Sequence, residues 1–324
     1  MMPTVFKTGS QWAKQAAMFS ISVPTFQRML TRFIRLVDPI LYDTYITDTA
    51  KQWTMGETYM MKQGFVKIPS ARYATGVSFQ QTNKPTRGAH AFWSPFYKLH
   101  GVKTEVSVLP MGLAIHCGAS QPAGDSNATV VRHSLAFHRS QLRKFTDDLS
   151  MEVPDDGPLR EEYPDQWAIL LDKGYESLAT ELRAICPIKR AIMGDNLTPE
   201  EEQFNEDIVS ERQVLDKFLG RLSSLWVIGA DHFKWDRHLH STIFRLCVSL
   251  TNAHILANPL EDQDREERRI QERCLRGQGE MMVRRRREAQ ARYQAKMRDS
   301  LNEIEDIEDE DNEMDEQEEQ VHEL

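Results

Sequence analysis

The stretch RYATGVSFQQ, residues 72–81, sets Tyr73, Thr75, Val77 and Phe79 on one face and Arg72, Ala74, Gly76, Ser78 and Gln80 on the other. Alternation with β-branched and aromatic residues on one side predicts a β-strand. Gly76 interrupts the second face. A glycine inside a strand marks a bulge or a close approach by another group, or else the place of a side chain that is no longer there.

Downstream, YKLHGVKTEVSVLP (97–110) and GLAIHCGAS (112–120) supply two more alternating runs, separated by the turn Pro110-Met111-Gly112. Three consecutive antiparallel strands are expected. Residues 127–149 read as helix, VPDDGPLREEYPDQ as a polar loop, and WAILLDKGYESL as a short apolar strand ending in Asp172, then a glycine turn and a helix. AICPIKR is a further candidate strand, and helices follow from Thr198 or Pro199 to Trp226 and over about 238–258. Upstream, 10–60 is expected to be helical. A short helix near 11–18 precedes a longer one capped by Ser22, with Pro24 in its first turn and Phe26, Met29, Leu30, Phe33, Ile34 and Val37 at helical spacing. Two readings of this region stand: a small bundle packed on the main domain, or a helix-turn-helix whose Lys14, Arg28, Arg32 and Arg35 meet phosphates. A strand meander followed by helices and an apolar strand predicts an α/β domain with a mixed sheet.

Charge is unevenly spread. The net value of −9 conceals 14 acidic residues and no Lys or Arg from Asp299 onward, and the remainder carries 40 basic against 35 acidic residues. That balance permits a polyanionic partner without requiring one. Residues 261–298, rich in Arg and Glu, read as a solvated helix or a disordered linker, the block Arg284 to Arg287 within them as a nuclear localisation element or a phosphate contact, and 299–324 as a disordered tail. Cys117, Cys186, Cys247 and Cys274 form no C-x-x-C pair, which argues against a zinc site or a disulfide framework. No apolar run is long enough to span a bilayer. An intracellular protein with no membrane segment is expected.

Asp172, at the carboxyl end of an apolar strand, stands where open α/β sheets place ligand-handling groups, or else starts the following turn. On the long helix Ile208, Leu215, Phe218, Leu219, Leu222, Leu225 and Trp226 form an apolar stripe, with Asp216 at its edge. Asp216 is expected either to pair with Arg212 or to bind metal. Two carboxylates arranged in this way suit Mg²⁺, and two such ions can flank a phosphodiester undergoing in-line displacement. A third acid should project from a neighbouring central strand, and Gly76 occupies the matching place. His232, His238 and His240 in DHFKWDRHLH have no zinc-site spacing and read as polar residues around a helix start.

Taken together, YATGVSFQ, YKLHGVKTEVSVLPMGLAIHC, LLDKGY, LTPEEEQFNEDIVSERQVLDKFLGRLSSLW and LTNAHILANPL resemble the DDE endonuclease domain of Harbinger-type transposases. They are most similar to the transposon-derived group of plant-pathogenic oomycetes. The resemblance covers about 66–260. It implies an RNase H-like mixed sheet flanked by helices, with an N-terminal helical region (1–65), a charged helix or linker (261–298) and an acidic tail (299–324). It also implies metal-dependent cleavage and joining of DNA strands by three acids with Mg²⁺ or Mn²⁺, nuclear location, and a possible separate DNA-binding partner protein. The second acid falls on Asp172. The third falls on Asp216, one methylene shorter than the usual Glu, with Arg212, Phe218 and Gly220 matching around it. The first falls on Gly76, for which Glu105 and Asp125 are the candidate substitutes. Lys173, Arg212 and Arg221 join the N-terminal cations as expected DNA contacts. The implied enzyme is therefore impaired, and a non-catalytic DNA- or protein-binding module is the alternative.

Overall fold

The computed structural model describes residues 1–146, 148, 151–189 and 196–322, from 299 onward as backbone alone. The end of the expected 127–149 helix and the final Arg190 of AICPIKR fall partly outside the described residues. Two compact units emerge, Met1–Arg273 and Cys274–Leu324.

The first unit is built around β1 (Ala71–Gln81). On one side β1 pairs antiparallel with β3 (Leu99–Val108), in unbroken register from Ala74↔Val108 to Gln81↔Gly101. On the other it pairs parallel with β6 (Ala168–Leu170), which pairs parallel with β7 (Ala184–Ile185). The short β2 (Trp93–Ser94), β4 (Ala114–Cys117) and β5 (Gln121–Pro122) all pair with β3, completing a mixed seven-stranded sheet. The three expected antiparallel strands are β1, β3 and β4. Gly76 pairs with Val106 inside the unbroken ladder, so the bulge reading falls.

Being central, β1 is covered on both faces, which buries even its polar side chains. Gln80 donates to the Ile228 and Asp231 carbonyls at 2.8 and 2.7 Å. Arg72, at the register shift against β6, donates to the carbonyls of Ala50, Trp53 and Gln141. One face of the sheet packs Tyr73, Ile169 and Leu171 under α6 (Asn127–Arg132) and α7 (Leu135–Leu142). The other meets α8 (Pro199–Leu225) and α10 (His240–Ala257), with the one-turn α9 (Val227–Ala230) between them. The helices α1 (Met2–Thr8), α2 (Trp12–Met18) and α3 (Val23–Tyr42) belong to this second face: Val5, Phe26, Leu30 and Ile34 share a core with Val106, Phe218 and Phe244. Asp38 of α3 accepts from Nε and Nη2 of Arg245 on α10 at 3.2 and 2.6 Å, and Trp12 stacks on Trp235 at 3.8 Å.

The start of α3 differs in detail from expectation. Ser22 is the N-cap residue, but its hydroxyl bonds Thr25 Oγ1 at 2.9 Å instead of a free backbone N–H. Helix α4 (Asp48–Gln52) and α5 (Met55–Met60) complete the N-terminal region. The backbone of α11 (Asp262–His322) is helical through the Arg/Glu-rich segment and through the acidic stretch read as disordered.

Candidate active site

The site depends on how α8 is begun and aimed. Thr198 Oγ1 accepts the Glu201 N–H at 3.2 Å, and the Glu201 carboxylate accepts the Thr198 N–H at 2.8 Å. Pro199 opens the first turn, followed by Glu200, Glu201 and Glu202, whose charge suits a helix N-terminus. The buried stripe Ile208, Leu215, Phe218, Leu219 and Leu222 then lays α8 on the sheet. Each such side chain contributes about 1.5–3 kcal/mol.

That stripe brings α8 directly over Gly76. A β-carbon built on Gly76 would lie 2.5 Å from Leu215 Cδ2 and 3.6 Å from Arg212 Nη2, so a leucine methyl fills the space into which a side chain at 76 would grow. Asp172 follows β6 and reaches the same place, its Oδ1 lying 3.4 Å from Arg212 Nη1 while accepting the Lys173 N–H at 2.7 Å. Gly76 and Asp172 therefore converge on one guanidinium. Arg212 is itself nearly enclosed, at 14 % side-chain exposure, and its Nε is buried without a partner.

Asp216 is one turn further along α8 and exposed. It makes no ion pair with Arg212, which turns to Asp172 instead. This corrects the expected pairing. Protein crowding nevertheless raises its pKa above the ordinary carboxylate value, against the pull first of Arg268 and then of Arg212. Arg268 is available because the opening turns of α11 cross α8 one turn beyond Asp216. A β-carbon on Gly220 would lie 1.7 Å from the Asp264 carbonyl oxygen, so only glycine admits this crossing. Arg221 locks it, reaching Asp264 Oδ1 and Oδ2 at 2.6 and 2.7 Å and the carbonyls of Asn258 and Pro259 at 2.9 and 3.2 Å. With its donors spent in this way, Arg221 is a strut and not a phosphate contact.

Neither proposed substitute for the first acid reaches the site. Glu105 pairs with Val77, so it projects from the opposite face of the sheet from Gly76. It is fully buried there, its Oε1 2.7 Å from His138 Nε2, with the Tyr73 hydroxyl on His138 Nδ1 at 2.9 Å. Asp125 lies beside Lys103, whose ammonium donates to its carbonyl at 2.6 Å, three residue pairs along the ladder from Gly76. The Glu105–His138–Tyr73 chain is absent from the sequence reading. The one local hint was an acid at a core position of an alternating strand. Of the expected cations, Lys14, Arg28, Arg32, Arg35 and Lys173 are exposed. His240 is buried, its rings nitrogens bonded to Ser120 Oγ and Gln80 Oε1 at 2.7 Å each, so it serves packing and no metal cluster.

A family model described as DDE superfamily endonuclease matches residues 76–252, more than half of the chain. The chain belongs to this family. No curated protein and no solved structure matches it. The endonuclease match opens at Gly76 and encloses Asp172 and Asp216, and the mixed sheet flanked by helices is consistent with the family's fold. Endonucleases of this superfamily generally depend on divalent metal. The side chains here do not fit that requirement as they stand. A guanidinium lies 3.4 Å from Asp172, a methyl group fills the place above Gly76, and Asp216 lies in the field of Arg268, which itself pairs with Glu272. Among the described residues no three His, Cys, Asp or Glu side chains are grouped to hold a metal ion.

Proposed function

We propose that this chain is a transposase-derived, Harbinger-type endonuclease domain with an RNase H-like sheet, that its strand cleavage is impaired at the position of Gly76, and that it acts on DNA by binding. The observation that carries the reading is the convergence of Leu215 and Arg212 on Gly76 and Asp172. An intact centre of this kind uses three carboxylates to hold Mg²⁺ or Mn²⁺, which offset the charge of the phosphodiester. Without metal, clustered carboxylates would repel a phosphate. Here Arg212, 3.4 Å from the exposed Asp172, offsets part of its charge, so this surface can meet a DNA backbone with no ion in between. Exposed Lys173 at the rim adds a cation. Nuclear location, with Arg284 to Arg287 as the import element, and a separate DNA-binding partner accompany this reading. Among the described residues no helix is long and apolar enough to cross a membrane.

The test compares wild type, Asp172→Ala and the double variant Gly76→Asp/Leu215→Ala. Plasmid nicking in Mn²⁺ and binding of a labelled random-sequence duplex are both measured. Wild type should bind the duplex with a marked salt dependence and nick no faster than Asp172→Ala, which should bind equally well or better. The double variant, with room made for the new carboxylate, should gain Mn²⁺-dependent nicking. Nicking by wild type that Asp172→Ala abolishes would overturn the impaired-site reading. A folded double variant with no gain would show that Gly76 is not the limiting position.

A further inference from the structure

Helix α3 carries more apolar surface than its core contacts use. Phe26, Leu30 and Ile34 are buried, at 0–1 % exposure. Met29, Phe33, Leu36 and Ile40 are not, at 40, 48, 61 and 63 %. Met29 and Phe33, at helical spacing with Phe26, Leu30 and Ile34, thus lie on the solvent side of the helix. Single exposed apolar residues are ordinary, but four in register on one helix are not. Their spacing of four, three and four residues makes one straight seam about 16 Å long, the a/d pattern of a helix that receives another helix.

The seam has a charged border. At about 100° per residue it is turned about 100° from the core face, and Arg28, Arg32 and Arg35 run along its far edge. Arg28, Thr31, Arg32, Arg35 and Leu36 line a shallow groove there. The arginines are exposed, and Asp38, the acid on this helix nearest to them, is committed to Arg245. A DNA backbone lying on the arginine row would leave the seam in water. Two copies of α3 laid face to face would crowd two arginine rows together.

We propose that α3 is a docking face for an amphipathic helix of a partner protein whose apolar seam is bordered by Asp and Glu. Leucine-type side chains fill the spaces between Met29, Phe33, Leu36 and Ile40, and the partner's carboxylates lie along Arg28, Arg32 and Arg35. The apolar seam supplies the salt-independent part of the affinity and the arginines the salt-dependent part. This surface is independent of the cleavage site and of the DNA reading above.

The probe is a fluorescein-labelled peptide of three heptads with Leu at a and d, Glu at e and g and Ala elsewhere, titrated with the full chain and followed by anisotropy. Binding should weaken about ten-fold or more in Phe33→Asp/Leu36→Asp at both low and high salt. It should weaken by a similar factor in Arg32→Glu/Arg35→Glu at low salt, with a smaller change at high salt. A scrambled peptide of the same composition should bind about ten-fold more weakly. All four substituted side chains are exposed, so the variants should retain the wild-type circular dichroism spectrum. Absence of peptide binding, equal binding of the scrambled peptide, or loss confined to the arginine variant overturns the proposal. If that last pattern comes with lost binding of a random 30-base-pair duplex, α3 is a DNA face instead.

Discussion

His240 illustrates how a single residue carries a pH dependence. Burial holds its pKa down to about 3, since both ring nitrogens are enclosed and used in neutral hydrogen bonds. In the unfolded chain the same ring titrates near its ordinary value of about 6.5. The neutral ring's contribution is complete above that pH and is lost as pH falls from 6.5 toward 3, because the unfolded chain takes up a proton that the folded chain refuses. The limiting slope is about 1.4 kcal/mol per pH unit. Urea unfolding at pH 6.5, 5.5 and 4.5 should give a flatter stability profile for His240→Asn than for wild type. Burial also pushes His116 down, to about 4, so some slope should survive. Parallel profiles would mean that His240 is not held neutral in the folded state. None of this was visible in DHFKWDRHLH, where three histidines read alike. The distinction comes from Gln80 and Ser120, which are distant in sequence.

Among the elements, the strands and α8 were the most legible, because each is specified by its own side chains. Period two in 72–81 and the capping box with its apolar stripe in 198–226 need no partner to be recognised. The crossing of α8 by the start of α11 was not legible. It depends on Gly220 having no side chain and on Asp264 being within reach of Arg221, and residues 262–273 look like any charged helix. Gly220→Ala should therefore be far more costly than a typical helical Gly→Ala change, which is mildly stabilising. Its methyl meets a backbone carbonyl and not a movable side-chain tip. A loss of about 2–4 kcal/mol is expected from the urea midpoint. A stability gain would place α11 away from Gly220. The candidate site was partly legible for the same reason: the positions of Gly76 and Asp172 follow from strand pattern, while the side chain that fills the gap does not. Leu215 was read only as a member of the stripe.

At the scale of the whole chain, charge is divided lengthwise. A chain ending at Arg298 keeps 40 basic and 35 acidic residues, against a net −9 for the intact protein. Removing 299–324 should tighten binding to a random-sequence duplex about ten-fold at 50 mM salt, with the difference fading as salt is raised. The thermal midpoint of Met1–Arg273 should stay unchanged. Equal affinities with and without the segment, measured by anisotropy across a salt series, would show that its charge does not reach the DNA-binding surface. A shifted midpoint would give the segment a structural role.

The closeness of Leu215 to the space above Gly76 also bears on how an acid could be placed there. A carboxylate placed at position 76 would grow toward the Leu215 methyl and would find Asp172 beside Arg212. A smaller residue at 215 would open that space directly, while Leu215 as it stands has to turn aside. In evolutionary terms the two positions are coupled: which side chains position 76 accepts depends on the one at 215.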